Sequence, residues 1–143
     1  MDITSAAVAT IISATTSATI TLLIARGNAR KSLDDKLDML LGLAVQYPYL
    51  ESDSFAKSWT SAYDPDDEKY LRYEHYCTML FNYLSIVAGH FKYSKKRIEQ
   101  YIAIKPWVRC HAAYWRDPTD EYATIDEYDK PFVDLIESYL TGR

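Results

Sequence analysis

The sequence predicts an all-α chain, with one N-terminal transmembrane helix followed by a cytoplasmic bundle of about five helices. Three observations carry that reading. Residues Ile3–Ala25 contain no charge, and Arg26, Arg30 and Lys31 follow them. From about residue 67 onward, apolar side chains recur at alternating three- and four-residue spacing, the period of a helix with one buried face. Four glycines and five prolines, none clustered, leave little room for the many turns of a β fold. The expected division is residues 1–31 as the helix with its basic flank and residues 32–143 as the helical domain.

A 23-residue helix rises about 34 Å, enough for a hydrocarbon core of about 30 Å. Only eight of the 23 residues are aliphatic, and the rest are Ala, Ser or Thr. Hydroxyls on such a span can bond back to the helix's own carbonyls. A signal peptide would begin with basic residues, whereas position 2 is Asp2, and the cations would not follow its apolar core. The cations on the C-terminal side place the domain in the cytoplasm and the N-terminus outside, as a single-pass membrane protein. Ala9, Ser13, Ser17 and Thr21 fall at spacing four on one face, with Ala6, Thr10 and Ala14 beside them. Val8, Ile11, Ile12, Leu22 and Leu23 gather opposite. Small residues in such a ladder let helix backbones approach closely, so this face is the expected packing surface, against a second copy or another membrane protein.

The domain is read in order. Ser32 is placed as the cap of a helix to about Gln46, with Leu33, Leu37, Leu40, Leu41 and Ala44 inward, either separate or continuing the first helix through Gly27-Asn28. Pro48 pushes Tyr47 out of the α region and ends it. A second helix is expected from about Asp53 to Ala62, carrying Phe55 and Trp59. Asp64-Pro65-Asp66-Asp67 reads as a turn whose acids suit the next helix start. The third helix, about Asp67–Phe91, has the clearest pattern: Tyr70, Tyr73, Cys77, Leu80, Leu84, Val87 and Phe91 form one row, and Tyr76, Met79, Tyr83, Ile86 and His90 form a second. Two adjacent rows make a wide apolar face, so this helix belongs at the centre of the bundle. A fourth helix is expected from Lys95 to about Asp117, kinked or restarted at Pro106. Asp117-Pro118-Thr119-Asp120 reads as a turn. The last helix opens at Asp129-Lys130-Pro131, with Phe132, Leu135, Ile136, Tyr139 and Leu140 as its buried stripe.

Composition excludes some functions. The net charge is −4, and because residues 1–31 hold three cations against Asp2, residues 32–143 carry −6. An acidic domain argues against bulk nucleic-acid binding. Aromatics make up 14% of the chain, 13 of them Tyr, which is too many for a disordered tail. Cys77 and Cys110 are expected to be reduced thiols rather than a disulfide framework. No phosphate-binding glycine loop and no Gly-x-Ser-x-Gly is present. His75, His90 and His111 fall in no ligand spacing. The pairs His75/Cys77 and Cys110/His111 could meet only if two helices were neighbours, and residues one or two apart face different sides of a helix. No metal, cofactor or catalytic residue is therefore expected. The one candidate ligand or partner surface is Trp107, Arg109, His111, Tyr114 and Arg116, where aromatics alternate with cations as they do in sites that stack a base and grip its phosphates.

The single N-terminal span, the leucine-rich helix after it, the run Gln46-Tyr47-Pro48-Tyr49-Leu50, the run Tyr76-Cys77-Thr78-Met79-Leu80-Phe81-Asn82-Tyr83 and the Trp/Arg/His helix together resemble a diffuse group of small bacterial membrane-anchored proteins of unknown function. The resemblance covers most of the chain and is mainly architectural. It implies a bacterial inner-membrane protein with a cytoplasmic helical domain, and it carries no active-site residues.

The expected function is accordingly non-enzymatic: a membrane-anchored interaction or scaffold protein that contacts lipid and either copies of itself or another membrane protein. The alternative is a ligand-gated effector, as in bacterial defence. In it a small anionic ligand such as a nucleotide second messenger binds at Trp107–Arg116 and rearranges the spans so that the membrane leaks.

Overall fold

The computed structural model describes the backbone of residues 3–116 and 124–142, and the side chains of residues 21–116 and 125–142. Every regular element among the described residues is a helix, and none is a strand. They form α1 (Ile3–Gln46), α2 (Asp53–Lys57), α3 (Trp59–Ala62), α4 (Glu68–His90), α5 (Lys95–Tyr101), α6 (Ile104–Cys110), α7 (Ala112–Trp115) and α8 (Lys130–Thr141), with 3-10 turns at Pro48–Glu51 and Thr124–Glu127. The chain divides into two compact units, residues 1–36 and residues 37–143.

In the first unit the described backbone is helix throughout. Ser32 caps nothing, because α1 runs through it without a break. Asp34 and Asp35 pair one helical turn back: Arg30 with Asp34 at 3.6 Å and Lys31 with Asp35 at 2.8 Å. Among the described residues no helix is long and apolar enough to cross a membrane, so the transmembrane helix expected over Ile3–Ala25 is not supported. Most of that stretch precedes Thr21, where no side chain is described; the part from Thr21 onward is short. It offers only Leu22, Leu23 and Ile24 as a short apolar run before Arg26, and Arg30, Lys31, Asp34, Asp35, Lys36 and Asp38 follow. Thr21 is exposed. The side chains of Ala9, Ser13 and Ser17 lie outside the described residues, as does the turn expected at Asp117–Asp120.

The second unit is a helical bundle centred on α4. Asp67 caps α4 by accepting a hydrogen bond from the Lys69 amide at 2.8 Å. The row Tyr73, Cys77, Leu80, Leu84 and Val87 is fully buried, as the heptad pattern predicts. The second row divides: Tyr76 and Tyr83 are buried, while Ile86 and His90 face solvent. Phe81 and Ala88 are buried on a further side of the helix. There Phe81 stacks on Tyr114 at 6.0 Å and meets Trp115 at 4.8 Å. The chain leaves α4 through two residues in left-handed conformation, Lys92 (φ 53°) and Tyr93 (φ 57°). The amide of Tyr93 closes the helix end on the Ala88 carbonyl at 2.7 Å.

The remaining helices are more fragmented than the sequence predicts. The helix expected over Asp53–Ala62 breaks at Ser58 into α2 and α3. The helix expected over Lys95–Asp117 becomes three. Its first break is at Ile102, which is extended (φ −140°, ψ 155°), rather than at Pro106. Pro106 then falls in the first turn of α6, where its missing amide hydrogen has no intrahelical acceptor to lose. The second break is at His111 (φ −97°, ψ 22°). The last helix matches expectation: Asp129 accepts from the Phe132 amide at 3.0 Å, and Gly142, at φ 73°, ends it in the left-handed conformation that glycine adopts without strain. It packs on α6, and of its expected stripe Phe132, Leu135, Ile136 and Tyr139 are buried and Leu140 is half-buried.

Candidate functional site

A buried polar cluster forms where three parts of the second unit meet. The 3-10 turn after α1 supplies Glu51. Two turns of α4 supply Tyr73, Tyr76 and Cys77. The corner between α6 and α7 supplies Cys110 and His111. Helical spacing brings Tyr73, Tyr76 and Cys77 to one side of α4, since they lie three, four and one residues apart. Residues 110 and 111 would point apart on an unbroken helix. Here Cys110 ends α6, and His111 stands in the corner before α7 begins.

His111 is the centre of the cluster, and its side chain is 0% exposed. Its Nδ1 is hydrogen-bonded to the Tyr73 hydroxyl at 2.9 Å, and the Cys77 thiol lies 3.7 Å from the same nitrogen. Its Nε2 faces Glu51 Oε1 at 3.5 Å, within ion-pair range but too far for a hydrogen bond. Among the described residues Nε2 has no hydrogen-bond partner, which is costly for a fully buried polar atom. The Tyr76 hydroxyl donates to the Glu51 carboxylate. The rings of Tyr73 and Tyr76 stand 5.6 and 5.8 Å from the imidazole.

The electrostatics follow from this geometry. Burial alone would raise the Glu51 carboxyl, but contacts with His111 and Tyr76 outweigh it and hold the group below the ordinary carboxylate range. Burial, followed by the charges of Glu51 and Asp53, pushes the Cys110 thiol up to about 12. Burial also holds the Cys77 thiol well above its usual value. Both thiols are therefore protonated at neutral pH, and neither is a ready nucleophile. Glu51, Cys110 and His111 each offer one donor atom, and these atoms all lie within 4.8 Å of one another. They are the residues of this cluster that could hold a metal.

The predicted surface at Trp107–Arg116 is not gathered on one face. His111 and Tyr114 are buried, and Tyr114 shares a 2.8 Å hydrogen bond with Thr78. Arg109 reaches the Tyr139 carbonyl of α8 at 3.4 Å, and Arg116 pairs with Glu137 at 2.8 Å. The other Glu137 oxygen accepts from the buried Trp115 indole at 2.9 Å. Trp107 alone lines an apolar groove, with Leu37, Leu41, Tyr101, Ile102, Ala103 and Pro106. A second groove, of about 350 Å³, is lined by Leu43, Leu50, Leu71, Tyr76 and Met79, with Glu68, Arg72 and His75 at its edge. His75 thus stands apart from the cluster that holds Cys77. Sequence reasoning missed Glu51 altogether. Its only signal was Pro48, which turns the chain out of α1 and delivers residue 51 to the bundle.

Comparison with protein families, curated proteins and solved structures finds no match to the chain.

Proposed function

We propose that this chain is a non-enzymatic interaction protein of the bacterial inner membrane. Its N-terminal helix associates with copies of itself or with a membrane partner, and its helical domain docks a partner protein. The observation that carries the reading is a pair of apolar grooves on the second unit with exposed apolar side chains in their walls. Leu41 lines one groove and Leu71 the other, both more than a third exposed, and Val45 on the same helix as Leu41 is 81% exposed. Large apolar side chains left in water around a groove mark an interaction surface. Placement at the membrane rests on the sequence, namely the uncharged stretch Ile3–Ala25 and the cations that follow it.

The test is a photo-crosslinker at position 45 of the full chain in native cells. A discrete adduct is expected, and Leu41→Glu or Leu71→Glu in the same background should remove it. No adduct, or one indifferent to both substitutions, contradicts the docking surface. Flotation of the full chain with native membranes tests the placement, and recovery only in the unbound fraction contradicts it. In floated membranes, Ser13→Leu with Ser17→Leu should abolish cross-linked oligomers. The ligand-gated reading is the weaker one, because Arg109 and Arg116 are already engaged by α8. Leakage on expression, lost in Arg109→Ala with Arg116→Ala, would favour it instead.

A further inference from the structure

We propose that Glu51, Cys110 and His111 form a metal site suited to zinc, with the fourth position open towards Asp53 and solvent. Thiolate, imidazole and carboxylate are the three donor types that zinc takes from proteins, and this combination on one point is selective for it over magnesium or calcium, which prefer oxygen alone. The spacing fits. Zinc holds nitrogen and oxygen donors at about 2.0–2.1 Å and sulfur at about 2.3 Å, so tetrahedral donors stand roughly 3.3–3.6 Å apart. Glu51 Oε1 and His111 Nε2 are 3.5 Å apart, and the three donor atoms all lie within 4.8 Å of one another, so Cys110 Sγ needs a shift of about an ångström at most.

Three further features point to a cation there. Among the described residues the fully buried His111 Nε2 has no hydrogen-bond partner, and it is the nitrogen left over once Nδ1 has met Tyr73. When a metal takes Nε2, the proton sits on Nδ1 and is donated to the Tyr73 hydroxyl, the outer contact that metal-bound histidines commonly make. The Tyr76 hydroxyl fixes the Glu51 carboxylate in the same way. Finally, the cluster is reachable: the Glu51 side chain is 29% exposed, and Cys110 is half-buried. Asp53 contacts the Cys110 thiol from the solvent side, where it also pairs with Lys57 at 2.8 Å. As the sulfur–metal bond forms, the Cys110 thiol releases its proton to solvent.

The experiment is a cobalt titration of the untagged full chain after removal of metals with a chelator. Cobalt reports the donor set directly, because a bound thiolate gives an intense near-ultraviolet charge-transfer band. One equivalent per chain is expected, with that band, and zinc should displace it. Cys110→Ser should remove the band, whereas Cys77→Ser should keep it. Glu51→Gln should keep the band and weaken binding by more than about tenfold, the least loss seen for outer contacts of such sites. Absence of a band in the wild-type chain at excess cobalt overturns the proposal, and that result needs no variant to fold. A band that survives Cys110→Ser, or that is lost only in Cys77→Ser, overturns it as well.

Discussion

The helix α4 and the corner at His111 lie against each other and are held by different physics. Along α4 the buried row is Tyr73, Cys77, Leu80, Leu84 and Val87, and the helix runs 23 residues without interruption. Burial of apolar surface is non-directional, so a periodic stripe is enough to keep it straight and in place. The stretch Ile102–Trp115 also buries apolar side chains, Ile102, Ile104, Val108, Tyr114 and Trp115, but it does not run straight. It turns at Ile102, again at His111, and ends at Arg116. What fixes its bends is directional as well: Tyr73 to Nδ1 of His111, Thr78 to Tyr114, and Glu137 to both Trp115 and Arg116. Apolar periodicity specifies a long element, whereas hydrogen bonds specify where a short one bends.

The largest expected effect comes from α4. Leu84→Ala removes a fully buried side chain and should cost about 2–5 kcal/mol in a denaturant melt. A cost below about 1 kcal/mol would mean that α4 is not the centre of the core. Next in size is Tyr73→Phe, which keeps the ring and strips the hydroxyl from buried His111. It should cost about 1–3 kcal/mol, the penalty of an orphaned buried polar group. A neutral result would break the contrast, since the corner would then be held by ring packing alone.

Alkaline pH sharpens the same contrast. Burial raises Tyr73, Tyr76, Tyr128 and Tyr139 above the usual 10.0. A group raised in the folded state contributes stability that is full below its unfolded value and is lost as pH rises above it. Here the unfolded tyrosines release protons from about pH 10 while the folded ones hold theirs, so the unfolding free energy must fall from about pH 10 upward. Tyr73→Phe removes one of these groups, and its stability should decline less steeply over that range. An equal slope in the two proteins would contradict the burial of that hydroxyl. The smallest effect is at the end of α4. Lys92 is exposed in left-handed backbone, so Lys92→Gly should stabilise the protein by roughly 1 kcal/mol, visible as a raised melting temperature.

What could be read from the sequence follows the same division. The bounds of α4 were legible to within a residue, because Asp67 marks its start and the three-four spacing runs to its end. The last helix was legible for similar reasons, from Asp129 and Pro131 at its start. The kink assigned to Pro106 was misplaced. Proline only forbids an amide hydrogen bond, and a helix that starts two residues earlier never needs that bond, so the break moved to Ile102. Burial of Phe81 and Ala88 was hidden as well, because a two-row pattern shows only the faces that repeat. Within the site, the break at His111 defeated the rule that adjacent helical residues face apart, and with it the reason for setting Cys110 and His111 aside. Glu51 carried no periodic signal, since it reaches the bundle through a turn. For the first helix, an uncharged stretch of Ala, Ser and Thr reads as a span by what it lacks, and among the described residues no helix is long and apolar enough to cross a membrane.

The most direct test of the corner's account is a double-mutant cycle on Glu51→Gln and Tyr73→Phe, read as denaturant unfolding free energies. These residues touch opposite nitrogens of one imidazole, so each should sense the loss of the other through His111. The expected coupling is about 0.5–3 kcal/mol, the range for residues that share a network. If the two changes add within about 0.3 kcal/mol, Glu51, His111 and Tyr73 do not act as one unit, and the directional account of the corner is wrong.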